Sequence, residues 1–449
     1  MAVQKKPDPQ DTLDRLIKAA RQAGADAADA LIVESVSSGV GYRLGKLEDV
    51  ERAESANLGL RVFVGQQVAF VSSSDVSPQG LAELPERAVA MARLAPENRF
   101  AGLAPRELLA QSIPELDIED AHEPSTEALI DSARTIEGAA MAVKGITNSE
   151  GGSASYSRSG IALATSEGFR GHYAGTSHSI GVAVLAGEGT GMERDYDFAS
   201  ARHLADLESP EIVGRRAGEL TLARLNPRKA KSQAVPVVFD TRASNEIVGH
   251  FAGAISGASI ARGVSFLKDR MGEKIFAHGI SIIDDPHRLR GLRSKPFDGE
   301  GVRNRRWALI EDGVLTTWLL DCASAKQLGL TTTGHAARGV GGPPSPSTTN
   351  LYMAPGKITR DALIGDIREG FYVTETMGDG VNNVTGDYSR GASGFWIENG
   401  QIAYPVSEVT IAGNLKDMFL NLTPANDLVF RYGTNAPTLR IEGMTVAGA

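Results

Sequence analysis

Glu246 and His250 stand four residues apart in Asn245-Glu246-Ile247-Val248-Gly249-His250, and a carboxylate and an imidazole at that spacing are the clearest chemistry the chain offers. On a helix such a pair shares one face, about 40° apart around the axis. Zinc-hydrolase helices set two ligands and a general-base Glu in a patch of this kind. Here the residue before the Glu is Asn245, a neutral amide and a poor zinc ligand, so the pattern lacks one ligand. Taken alone, the pair reads more simply as a Glu–His contact on a helix face.

The other candidates are weaker. The remaining histidines are His122, His172, His178, His203, His278, His287 and His335. Asp284-Asp285-Pro286-His287 holds metal-ligating types but reads as a turn. His172 and His178 fall on one strand and read as exposed strand histidines. Gly386 to Gly394 is rich in small polar residues without forming a nucleophile elbow, which makes it a glycine turn lining a cleft. No phosphate-binding or dinucleotide-binding glycine loop is present. The single cysteine, Cys322, excludes a disulfide within the chain and a Cys-rich zinc site, and its apolar neighbours point to packing.

Composition narrows the class. A chain of 449 residues is too long for one core, and two or three domains are expected. The net charge of −9 disfavours nucleic acid as a partner, and the one basic run, Arg303-Asn304-Arg305-Arg306, reads as a solvated strand end. Met1 to Gln10 is polar and lacks the apolar segment of an export signal. No apolar run is long enough to cross a membrane, so a cytoplasmic protein is expected.

The elements that position these residues divide the chain. Residues 1–96 read as an N-terminal α+β unit. Its helix from Asp11 to about Ala23 precedes short strands around 30–33, 58–64 and 68–71 and a helix opened by Ser77-Pro78. Residues 97–125, preceded by Pro96 and punctuated by Pro105, Pro114 and Pro124, read as a linker. A middle unit, 126–230, repeats the layout, and Ser209-Pro210 opens its last helix; the matched openings and ends suggest an internal duplication. Residues 231–449 read as β-rich around one buried helix, Thr241 to about Arg262, with hairpin turns at Asp312-Gly313 and Asn399-Gly400. On that helix Gly249, Gly253 and Gly257 form a stripe that would admit a closely packed backbone. Gly339 to Ser347 reads as a flexible loop and a candidate lid. The fold class is α+β.

Several long segments carry a family resemblance. Val384 to Trp396 (Val-Thr-Gly-Asp-Tyr-Ser-Arg-Gly-Ala-Ser-Gly-Phe-Trp), Tyr404 to Glu408, Ile411 to Met418, Asp298 to Val302 and Leu319 to Asp321 closely resemble the TldD/PmbA metalloprotease family, on its PmbA side. The resemblance runs from about Leu13 to the C-terminus. It implies a cytoplasmic protein that pairs with a TldD-type subunit as a heterodimer and acts on peptides or unfolded proteins. The family's older label, modulator of DNA gyrase, is matched by nothing here that suggests DNA contact. TldD-type chains carry His-Glu-x-x-x-His and a later cysteine as metal ligands. Position by position, Glu246 matches the Glu and His250 the second His, Asn245 replaces the first His, and Leu420 to Phe430 holds no cysteine. With two of three ligands absent, the resemblance implies that zinc belongs to the partner or binds weakly here. Asn245, Asp387, Tyr388, Ser389 and Arg390 become cleft or interface residues. The expectation is therefore a non-catalytic subunit retaining part of a site at Glu246 and His250. The alternatives are a metallopeptidase active on its own through those two residues, and a homodimeric peptide-binding scaffold.

Overall fold

The computed structural model describes residues 8–448; Met1–Pro7, most of the segment read as lacking an export signal, lie outside them. The first unit contains α1 (Pro9–Gln22), β1 (Ala27–Arg43), β2 (Lys46–Val64), β3 (Gln67–Ser73), α2 (Pro78–Leu81) and α3 (Leu84–Leu94). The expected Asp11 cap is corrected: Asp8 caps α1, its side chain accepting the Gln10 amide at 2.9 Å, because Pro9 already fits the first helical position. Ser77 caps as expected, but one helix becomes two. Pro85 has no N–H, and in one continuous helix its ring would clash with the Leu81 carbonyl, so the first piece stops there. The second unit repeats the order with α4 (Thr126–Met141), β4 (Ile146–Thr165), β5 (Arg170–Ala186), β6 (Glu193–Ala201) and α5 (Pro210–Ala223), the last capped by Ser209.

The two units share one sheet in the order β3-β2-β1-β4-β5-β6. Each contributes three successive strands, and the first strands of the two, β1 and β4, pair antiparallel from Asp29↔Thr165 to Tyr42↔Gly152. The repeated layout thus takes the form of two halves joined edge to edge. The connection 97–125 does not hang free. Ala104, Leu109, Leu116 and Ile118 are buried, and Ala110 N donates to Gly301 O at 2.9 Å.

The third unit starts with β7 (Gln233–Phe239), α6 (Thr241–Ala254), α7 (Gly257–Ala261), β8 (Ile282–Asp284), β9 (Trp307–Glu311), β10 (Val314–Leu315) and α8 (Cys322–Leu328). It continues with β11 (Ala336–Ala337), β12 (Ser345–Pro346), β13 (Leu351–Met353), α9 (Arg360–Ile364), β14 (Glu369–Met377), β15 (Asp387–Glu398) and β16 (Gln401–Asn414). It ends with α10 (Leu415–Leu420), β17 (Leu422–Pro424), β18 (Thr434–Asn435) and β19 (Leu439–Ala447). The order β16-β15-β14-β7-β19-β17, with β16 also pairing β19, closes a barrel. Asp312-Gly313 and Asn399-Gly400 form the expected tight turns, both residues of each at positive φ. The largest core gathers Val237, Phe239, Ile247, Phe251, Phe371, Ile411 and Phe419 around α6.

The units meet at a buried charge cluster that composition did not reveal. Asp29 on β1 accepts hydrogen bonds from Arg61 on β2 and forms an ion pair with Arg338 at 2.7 Å; all three are almost fully enclosed. Arg338 follows β11, and the loop after it presses the Val340 carbonyl so close to Gly59 that a Cβ there would overlap it. The Gly339–Ser347 segment is therefore held at its base on the first sheet, besides the β11–β12 pairing. Cys322 sits beside Glu300, whose carboxylate accepts the Cys322 amide at 2.8 Å; burial and that carboxylate push its thiol far above the ordinary range, which disfavours the thiolate.

Candidate functional site

The strand-to-helix step β7–α6 places the Glu246/His250 pair. Asp240 caps α6 by accepting the Arg242 amide at 2.9 Å, and Tyr372 on β14 donates to the same carboxylate at 2.5 Å. Apolar residues then fall at helical spacing: Ala243, Ile247, Val248, Phe251 and Ala254 face the barrel core. Glu246, Gly249, His250 and Gly253 take the opposite face.

Two expectations about this helix are corrected. It does not run to Arg262 but stops at Ala254, because the Gly257 amide donates to Leu319 O at 2.8 Å and the Leu319 amide donates to Ile255 O at 3.1 Å. The inserted chain takes the place of the helix's own ladder. The glycine stripe also divides. Gly257 admits a close approach, with Leu320 Cδ2 and Ser324 Oγ at 2.6 and 2.7 Å from where a Cβ would sit, whereas Gly249 and Gly253 face open space.

Glu246 Oε2 accepts from Thr376 Oγ1 of β14 at 2.6 Å and lies 3.6 Å from Arg390 Nη2 of β15. His250 meets Tyr388 edge to face, ring centroids 5.9 Å apart. Strand period 2 sends Tyr388 and Arg390 toward the helix and turns Asp387 and Ser389 outward. Asp387 instead ties its own loop, accepting from Thr385 Oγ1 at 2.6 Å and Asn414 Nδ2 at 3.0 Å; those bonds hold its carboxyl below the usual range. Asn245 is half-buried and has no hydrogen-bonded side-chain partner among the described residues. Thr376 escaped the sequence reading, since a lone threonine on a strand carries no signal of the carboxylate it meets.

Two atoms here lack partners: His250 Nε2 and the Tyr388 hydroxyl are buried without a hydrogen bond. Burial lowers the His250 pKa; Glu246 opposes the shift and the nearby Arg390 cation reinforces it. Burial and Glu246 push the Tyr388 phenol well above its ordinary range, so it stays protonated. Zinc suits this donor set badly. Among the described residues no three His, Cys, Asp or Glu side chains converge on one point. The third group at Glu246 is an arginine, whose cation already sits beside the carboxylate.

His178 also departs from expectation. It is buried rather than exposed, 3.2 Å from Asp120 and stacked at a tilt on Tyr156, because residues 117–122 cross over it; His172 is exposed as expected. Asp285 accepts the His287 amide at 3.0 Å, the turn expected of Asp284 to His287.

Three family models match in series. They are PmbA/TldA metallopeptidase domain 1 over residues 28–92, the central domain over 119–225 and the C-terminal domain over 232–448. The chain belongs to the PmbA/TldD metallopeptidase family. It is 40% identical to Metalloprotease PmbA of Escherichia coli O157:H7 over 426 residues, 94% of this chain and 93% of that one. To the Metalloprotease PmbA homolog of Haemophilus influenzae it is 37% identical over 96% of this chain and 94% of that protein. A crystal structure from Bacteroides thetaiotaomicron described as a modulator of DNA gyrase superposes with a TM-score of 0.91 at 25% identity, covering 99% of this chain and 100% of that one. TldE from Thermococcus kodakarensis, at 22% identity, shares the fold with a TM-score of 0.87, covering 97% and 100% of the two chains. The family match spans both the shared sheet and the barrel, and α6 lies inside the C-terminal match. Among the described residues no helix is long and apolar enough to cross a membrane.

Proposed function

We propose that this chain is the PmbA-type subunit of a peptide-handling complex whose metal chemistry resides in a TldD-type partner. The observation that carries the reading is the pairing of Glu246 on α6 with Arg390 of β15 and Thr376 of β14, in place of a ligand set. A cation fixed by the fold already occupies the neighbourhood of that carboxylate. The open face of Glu246, Gly249, His250 and Gly253 is then a surface that helps to enclose the partner's cleft. A metalloprotease TldD homolog matches 58% of this chain at 26% identity, which supports paralogous subunits of one design. The natural substrates on this reading are peptides or unfolded proteins rather than nucleic acid, given the net charge of −9.

A second reading, a metallopeptidase complete in itself, draws on the unpartnered Nε2 of His250, a free donor beside a partly exposed carboxylate. Metal analysis and peptide assays separate the two. The chain purified alone should carry far less than one zinc and leave a fluorogenic peptide intact, whereas mixing it with a TldD-type chain should yield a stable pair that cleaves. Stoichiometric zinc that disappears, together with cleavage, in His250→Ala would sink the first reading. A homodimer that never exchanges subunits with a TldD-type chain would favour the peptide-binding scaffold instead.

A further inference from the structure

The basic run expected to be a solvated strand end has a second property. Arg303, Arg305 and Trp307 line one space while the intervening Asn304 is buried, its Nδ2 donating to Lys295 O and its Oδ1 meeting His287 Nε2, both at 2.8 Å. That space is a cavity of about 690 Å³ between the 97–125 connection and the third unit. Val302, Trp318 and Leu320 give the lining an apolar floor patch, threonines supply much of the rest, and the exposed Thr331 stands at the rim.

The charges at this cavity are one-sided. The chain has 55 acidic residues, yet among the described residues Arg303 and Arg305 are the only charged groups lining the space. Neither guanidinium has an ion pair or hydrogen bond among the described residues. Arg305 is stacked 3.9 Å above the Trp307 ring, whose Nε1 donates to Thr333 O at 3.1 Å. That stacking restrains the fork without neutralising it. The segment Trp318–Leu320 also touches the candidate site, since Leu319 exchanges backbone hydrogen bonds with Ile255 and Gly257 just past the end of α6.

We propose that this groove binds a peptide segment carrying a carboxylate next to an apolar side chain. The two guanidiniums take the carboxylate and the apolar floor takes the neighbouring side chain. A long polyanion fits poorly, because two cations among the described residues line the space and the chain as a whole carries a net charge of −9. The proposal rests on the peptide-handling reading above and names the class of peptide.

The test uses the full chain without any partner and a fluorescein-labelled hexapeptide of alternating leucine and glutamate, followed by anisotropy. Saturable binding is expected, with the glutamine counterpart much weaker. The Arg303→Ala/Arg305→Ala double variant should weaken binding by about tenfold or more. Arg306→Ala, exposed but outside the cavity, should change it less than about twofold. If the double variant fails to fold, Thr331→Trp blocks the rim with both arginines intact and should abolish binding. Equal affinity for the glutamine peptide, or an Arg306→Ala loss matching that of the double variant, overturns the proposal. So does displacement by inorganic phosphate more readily than by glutarate. Cleavage by the paired subunits is a separate readout, so the peptide-handling reading and the groove can fail independently.

Discussion

Replacing Asp29 by Asn removes one charge from the seam between the shared sheet and the third unit while keeping the side chain's shape. Asp29 is fully enclosed, hydrogen-bonded by Arg61 and 2.7 Å from Arg338. At an effective dielectric of about 20, an ion pair at that distance attracts by about 6 kcal/mol, most of which offsets the desolvation of the charges. The substitution leaves two buried guanidiniums with Glu300, 3.9 Å from Arg61, as the remaining nearby carboxylate. Breaking such a pair costs about 3–5 kcal/mol, a large part of a typical folding free energy. Urea unfolding at pH 7 should therefore show a lower midpoint for Asp29→Asn with little change in slope. Adding Arg338→Met should recover part of the loss, since one of the uncompensated charges goes with it. The sign with pH follows from the shift. Burial alone would raise the Asp29 pKa, but Arg338 and Arg61 outweigh burial and hold it below the unfolded value. Its contribution is thus present above about pH 4, the unfolded carboxyl range, and is lost as pH falls through the folded pKa. A pH 7 loss under about 1 kcal/mol for Asp29→Asn would refute the account of the seam.

Two further outcomes follow from the α6 face. Arg390→Ala removes a like charge from His250, so the His250 pKa, followed by its ring proton NMR signals, should rise toward the ordinary histidine range; no change or a fall would mean that the cation does not act on the ring. Gly249→Ala and Gly253→Ala meet no neighbouring atom and should each stabilise the isolated chain by about 0.5–1 kcal/mol in thermal unfolding. If the face lies against a partner, the same variants should weaken pairing with a TldD-type chain; unimpaired pairing would remove this face from the interface.

Local signals in the sequence were readable where one or two residues decide the backbone. Asp312-Gly313 and Asn399-Gly400 turn because both positions need positive φ, and Ser77 and Ser209 cap helices by a single side-chain bond. The step from an apolar strand to an amphipathic helix was equally plain, and so was the placing of Glu246 and His250 on one face. Features depending on distant pairing were not. β1 was expected as four residues but runs from Ala27 to Arg43, because β2 and β4 flank it. The end of α6 depends on Leu319, far along the chain. The partners of Glu246 depend on which way β14 and β15 turn their side chains, and no spacing within α6 carries that information. The Asp29–Arg61–Arg338 cluster was invisible for the same reason, since its members look like ordinary surface charges in a linear reading.

Barrel closure has a consequence for how the chain is made. Phe239 of β7 pairs with Leu439 of β19, residues whose numbers differ by 200. At typical synthesis rates the ribosome needs about 10–40 s to cover that interval. Through it β7 can pair with β14 once that strand has emerged, but its other flank stays bare, and Val237, Val238 and Phe239 lack a neighbour they bury against in the finished molecule. The two-part sheet, whose strands end at Ala201, can form earlier. The newborn protein thus passes through a period with its first half folded and an unsealed apolar edge behind it, when a holding chaperone matters most.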